Sequence, residues 1–149
     1  MDKATRNLEN DHVHILRLIA VMVEIARLPE ADTAHLEEIV QLIQKFADGL
    51  HHAKEENLLF PLMAEKGFSM QQGPVGVMLT EHEEGRKFVR GIAENIGHLK
   101  NGIPGALCRV YTNMNGYAEL LTNHIGKEDN ILFRMADNIL TAEENQSLL

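Results

Sequence analysis

Two stretches of this chain carry residues suited to binding a cation. The first, HHAKEENLLFP, runs from His51 to Pro61, and a near copy, HIGKEDNILFR, begins at His124. In both, a histidine is followed four residues later by a glutamate, as His51 to Glu55 and His124 to Glu128. On a helix that spacing stacks the two side chains on one face, roughly 5 to 6 Å apart, so both can bind the same object. The match extends to Lys54, Asn57, Leu59 and Phe60, which recur as Lys127, Asn130, Leu132 and Phe133. Each half also has an earlier histidine preceded by an acid, Asp11-His12 and Glu81-His82. The repeat predicts two similar half-sites.

These polar residues interrupt apolar stripes, and unpaired carboxylates and imidazoles in a core would each cost several kcal/mol. A bound cation offsets that cost for His12, His51, His82, His124, Glu55 and Glu128 together. Imidazole plus carboxylate without thiolate suits iron, manganese or zinc better than copper(I), and differs from an all-oxygen calcium or magnesium cage. Each of two glutamates from different helices can span two ions with its two oxygens. The donor count favours a two-metal centre.

Four long helices must position these groups. Leu8, His12, Ile15, Ile19, Met22 and Ala26 alternate gaps of three and four, the pattern of an amphipathic helix over 5–27. A second helix from Thr33 into Met63 has its stripe at Leu36, Val40, Ile43, Ala47, His51, Glu55, Leu58 and Leu62, with Pro61 as a candidate kink and Gly67 at its end. Gly73-Pro74 opens a third, striped through Val75, Met78, His82, Gly85, Val89, Ile92, Ile96 and Leu99. A glycine at 85 costs about 1 kcal/mol of helix propensity, which implies that something needs the space. Pro104 opens a fourth, striped at Leu107, Val110, Met114, Tyr117, Leu121, His124, Glu128, Ile131 and Met135, and Thr141 with Glu144 forms a capping box for a short last helix. The expected fold is all-α, an up-down-up-down four-helix bundle with a short C-terminal helix, forming a single metal-binding domain over 1–149.

Composition narrows the partners. Acids outnumber bases 22 to 14, for a net charge of −8, which argues against nucleic acid or an anionic membrane. The single cysteine, Cys108, permits no intrachain disulfide, and no apolar run reaches membrane-spanning length. A cytoplasmic protein is expected.

The HxxxEExxLFP-type segments are the most specific part of a resemblance that covers essentially the whole length: the chain resembles hemerythrin-like, or HHE cation-binding, domains. The resemblance implies a bundle holding an oxo- or hydroxo-bridged di-iron centre that takes dioxygen, or another small diatomic or peroxide ligand, as store, carrier or sensor. It implies His12 and His51 on one iron, His82 and His124 on the other, and Glu55 and Glu128 as bridges. The alternatives are an enzyme that reduces peroxide, oxygen or nitric oxide, and an iron-handling or repair protein. Some relatives with the latter role carry an N-terminal cysteine segment that this sequence does not contain, which weighs against it.

The sequence departs from the oxygen-carrier pattern of two histidines four apart on the third helix, since Met78 and Arg86 flank His82 at that distance. His52, three residues before Glu55, is the candidate to fill the gap, with His51 and His52 each reaching a different ion. At the fourth helix Asp129 fits the carrier's HxxxxD, but alignment with Glu55 favours Glu128. Tyr117, two turns before His124, lies close enough to shield the site or hydrogen-bond a bound ligand. Glu56 and Asp129 are expected outside the ligand set, and Asp11 and Glu81 as solvated or capping residues, with the option of orienting a neighbouring histidine. Ile15, Leu58, Val89 and Leu121 are the expected apolar surroundings.

Overall fold

The computed structural model describes residues 3–148. Helix α1 spans Ala4–Ile25. Helix α2 is continuous over 33–65: it starts as Thr33–Leu42, passes through wide π turns at Ile43–His52 and Glu55–Leu59, and finishes as Phe60–Glu65. Helix α3 is Gly73–Lys100, and α4 covers 106–139 as Ala106–Lys127, a π turn at Glu128–Leu132, and Phe133–Ile139. A short α5, Ala142–Leu148, comes last. The Asp32 carboxylate caps α2 by accepting from the Ala34 amide. Thr141 and Glu144 cap α5 reciprocally, each side chain bonded to the other's amide, as the capping-box spacing predicts. The fourth helix begins at Ala106, just beyond the expected Pro104, with Gly105 in the left-handed region at φ 78°.

Cross-helix pairs show that neighbouring helices run antiparallel. Thr5 meets Asp137 while His12 meets Asp129, Lys54 meets Asn7 while His51 meets Asp11, and Asp48 meets Arg86 while Glu56 meets His82. Arg109 bonds Asn95, and Lys127 bonds Glu81, so α3 and α4 follow the same rule. The architecture is an all-α bundle. Among the described residues no helix is long and apolar enough to cross a membrane.

The core has two apolar parts with a polar layer between them. One is built from Ile19, Met22, Val40, Ile92, Val110 and Met114, the other from Leu59, Phe60, Met63, Met78, Leu132 and Phe133. The π turns set which residues enter the second part. Phe60 donates its amide to the Glu55 carbonyl and Phe133 to that of Glu128, five residues back in each case. An extra residue in the turn rotates the downstream side chains by about 100° relative to an uninterrupted helix. Hence Leu59 and Leu132 are 1% exposed, whereas Leu58 and Ile131, expected on the inward stripes, are 49% and 54% exposed. Leu58 therefore does not line the site. Pro61 is not the cause of the wide turn, because Arg134 holds the equivalent place in the second copy and the turn forms there too.

Candidate metal centre

Seven polar side chains meet in the layer between the apolar parts. His12, His51, His52, His82 and His124 are all at most 4% exposed, and Glu55 and Glu128 are fully buried. Their donor atoms fall into two groups, His12, His51 and Glu128 in one, and His52, Glu55, His82 and His124 in the other, each group within 4.8 Å. The glutamates link the two. Glu55 Oε1 lies 3.4 Å from His51 Nε2 and 3.4 Å from His82 Nε2. Glu128 Oε1 lies 3.2 Å from His12 Nε2 and 3.0 Å from His124 Nε2.

The outward nitrogens explain how the inward ones are aimed. His12 Nδ1 is 2.7 Å from Asp129, His51 Nδ1 is 2.9 Å from Asp11, His82 Nδ1 is 3.0 Å from Glu56, and His124 Nδ1 is 3.0 Å from Glu81. An ionised carboxylate only accepts, so each ring donates from Nδ1 and, when neutral, keeps a lone pair on Nε2. Each pair joins two neighbouring helices, and the four pairs close a ring around the bundle. Asp11 and Glu81 are thus neither solvated nor capping: each reaches the histidine of the neighbouring helix, not the one beside it in sequence. The repeated lysines complete the pattern, Lys54 bonding Asp11 at 2.9 Å and Lys127 bonding Glu81 at 2.6 Å. Phe133 stacks on His12 and Phe60 on His82, at 5.5 and 5.9 Å between ring centres.

Electrostatics mark the layer as unsatisfied by protein alone. Burial pushes His82 down to about 2 and His52 down to about 3, and it lowers His51 and His124 as well. Burial raises Glu128 to about 7. His12 is raised, because Glu128 and Asp129 outweigh the opposing effect of its burial. Both oxygens of Glu55 and of Glu128, and Nε2 of His82 and His124, are buried with no hydrogen-bond partner among the described residues. His12 Nε2 and His51 Nε2 face each other at 3.0 Å. Orphaned acceptors converging on one layer suit divalent or trivalent cations, and the donor set is nitrogen and oxygen only, Cys108 being exposed on the surface.

The two halves are not equal. His52 is stacked on His82 with ring centres 3.9 Å apart, and its nearest acid, Asp48, is at 3.6 Å, too far for a hydrogen bond. Asp48 is held instead by Arg86 Nε at 2.9 Å, and Arg86 also pairs with Glu56 and Glu83. A cavity of about 180 Å³ opens beside His52 and His82, bounded by Gly85, Val89 and Tyr117 among others. The Tyr117 ring lies against Gly85, where a methyl group would touch it at 3.4 Å. Helical spacing singled out six of the seven polar residues and Tyr117, the departure from the family pattern pointed to His52, and Asp48 was missed, with Arg86 marked only as an interruption. The signal for Asp48 was its place four residues before His52.

A four-helix bundle whose interior gathers imidazoles and carboxylates from all four helices has the construction of a metal-binding bundle. The chain belongs to the hemerythrin HHE cation binding domain family, whose model matches residues 3–136. Similar curated proteins include the iron-sulfur cluster repair protein YtfE of Escherichia coli O139:H28 (strain E24377A / ETEC) and that of Shigella boydii serotype 18 (strain CDC 3083-94 / BS512). Each is 37% identical over 92 residues, which is 58% of this chain and 40% of the relative. The chain thus spans about two fifths of the length of these relatives.

Proposed function

We propose that the polar layer holds two iron ions and that the centre binds a small ligand such as dioxygen. His12 and His51 would hold one ion, His52, His82 and His124 would hold the other, and Glu55 and Glu128, which lie between the two groups, would serve both. The observation that carries this reading is the position of the glutamates. One oxygen of each lies between an Nε2 from one group and an Nε2 from the other, and none of the four oxygens has a hydrogen-bond partner among the described residues. Manganese and zinc fit the same donors, and iron is preferred because of the family and the relatives' names.

Bound iron would supply Lewis acidity and reversible electron transfer to a small ligand. The chain's own groups do the rest. The four outer carboxylates hold the rings in one tautomer, and Ile15 and Leu121 close the layer on one side. Tyr117 lines the cavity beside His52 and His82, and its burial keeps the phenol protonated, so it can donate a hydrogen bond to a ligand there. The test is metal analysis of the purified protein together with its visible spectrum, first reduced and then exposed to air. Two irons per chain and a charge-transfer band that appears and disappears reversibly are expected. Fewer than two irons, or irreversible bleaching, would refute the binding role.

A second reading is favoured by the relatives, which are named as iron-sulfur cluster repair proteins. In it the irons are cargo. Net transfer of iron from the loaded protein to an apo iron-sulfur protein, faster than to a chelator of equal affinity, separates cargo from resident cofactor. Turnover of hydrogen peroxide by the loaded protein would instead identify an enzyme.

A further inference from the structure

The repeat relates the two halves of the layer residue by residue, so the places where it fails stand out. Counting from the paired histidines, His52 corresponds to Ile125, Asp48 to Leu121, Arg86 to Leu16, Gly85 to Ile15 and Tyr117 to Gln44. On one side of the layer Ile15, Leu121 and Ile125 fill the interior and are at most 4% exposed. On the other side a glycine, an aspartate and a histidine stand in their places, and the cavity opens there, reaching from His52 and His82 past Tyr117 to Gln44 and Arg90 at the surface.

His52 differs from the other four buried histidines in the way it is held. Those four are each fixed by a carboxylate at 2.7 to 3.0 Å. His52 is 4% exposed, its Nδ1 has no hydrogen-bond partner among the described residues, and Asp48 waits at 3.6 Å. Asp48 cannot easily follow the ring, because Arg86 anchors it on α3. A small rotation of the ring toward the cavity would close the gap and form a bond that is absent now.

Resting on the two-metal reading above, we propose that this cavity is the ligand entrance and that His52 is its displaceable gate. With no ligand present, His52 completes the group formed with Glu55, His82 and His124. When a small ligand enters along Val89 and Tyr117, His52 swings out and donates from Nδ1 to Asp48, leaving its former place to the ligand. No covalent bond within the protein changes. Arg86 acts as a positioning residue, since it keeps Asp48 ready to accept the ring.

The experiment uses the iron-loaded protein with azide as the probe, followed by its charge-transfer absorption, with metal content and far-ultraviolet circular dichroism measured for every variant. His52→Ala removes one ligand of the second ion, so azide affinity is read per two-metal centre, and azide is expected to bind that centre more tightly. If the released ring is populated about one part in ten in the native protein, the gain is about tenfold, because affinity scales with the competent fraction. Asp48→Ala removes the acceptor and is expected to weaken azide binding several-fold. Gly85→Leu fills the cavity floor, and Gln44→Trp, at the exposed mouth, obstructs it with little risk to folding. Each is expected to slow azide association at unchanged metal content. Unchanged azide affinity in His52→Ala overturns the gate, and unchanged association in the Gly85 and Gln44 variants overturns the entrance. If the native protein itself binds fewer than two metals, the two-metal reading fails and the gate falls with it. That outcome is distinct, since it is seen before azide is added.

Discussion

Each of four imidazoles is aimed by a carboxylate from the next helix, and this outer ring is as much a part of the site as the inward nitrogens. Such partners fix ring orientation and raise the basicity of the nitrogen that faces a metal. Asp129→Asn should therefore weaken metal binding about 10- to 100-fold while leaving the helical content intact, and chelator competition measures it. Glu81→Gln should act alike through His124. Glu83→Gln, which removes an exposed acid paired with Arg86, is the control and should change little. A loss of less than twofold in Asp129→Asn would mean that the ring is held by its neighbours and not by the carboxylate.

At the scale of elements, the π turns decide which half of each repeated motif is inside. The turn over Glu55–Leu59 and its copy over Glu128–Leu132 carry the glutamate inward and then advance the stripe by one position, to Leu59 and Leu132. Leu59→Ala should cost about 2 to 5 kcal/mol of stability, because it leaves a cavity beneath the polar layer. Leu58→Ala, one residue earlier, should stay within about 0.5 kcal/mol. Denaturant midpoints of the metal-free variants compare the two, and equal losses would show that the wide turn is absent in solution. Reading periodicity from sequence assumes 3.6 residues per turn throughout, and that assumption placed Leu58 and Ile131 on the core face. No residue type in either motif announces the wider turn, since Pro61 in one copy is Arg134 in the other.

For the molecule as a whole, the polar layer makes stability depend on pH. His52 and His82 have folded values of about 3 and 2 against an ordinary 6.5, so the fold requires their neutral forms. Their contribution is present above pH 6.5 and is lost as pH falls toward the folded values, and the lowered His51 and His124 act in the same direction. Glu128, raised to about 7, and His12, also raised, oppose this, their contribution being present at low pH and lost as pH rises through the folded value. The downward displacement of His82 and His52 together exceeds the upward one of Glu128, so the loss on acidification dominates. The melting temperature of the metal-free protein should fall between about pH 6.5 and 4.5, and calorimetry across that range checks it. Metal binding stabilises the native state by mass action and competes with ring protonation, so loaded protein should melt higher at about pH 7 and lose that advantage on acidification. A metal-free melting temperature that rises on acidification would show that the rings are solvated.

By itself, the order of residues determined the helical class, the twofold internal repeat and six polar groups of the layer, because helical spacing and donor chemistry are both local properties of the chain, while His52 was indicated by the departure from the family pattern. It also yielded Tyr117 and the capping of the last helix. What only the tertiary structure decided is which groups face each other. Asp11 serves His51 across the bundle, not the adjacent His12, because side chains one position apart on a helix point in different directions while those on a neighbouring antiparallel helix meet. The same holds for the open side of the layer: the gap beside Gly85 exists only where three helices converge, and no spacing along one chain encodes a void between them.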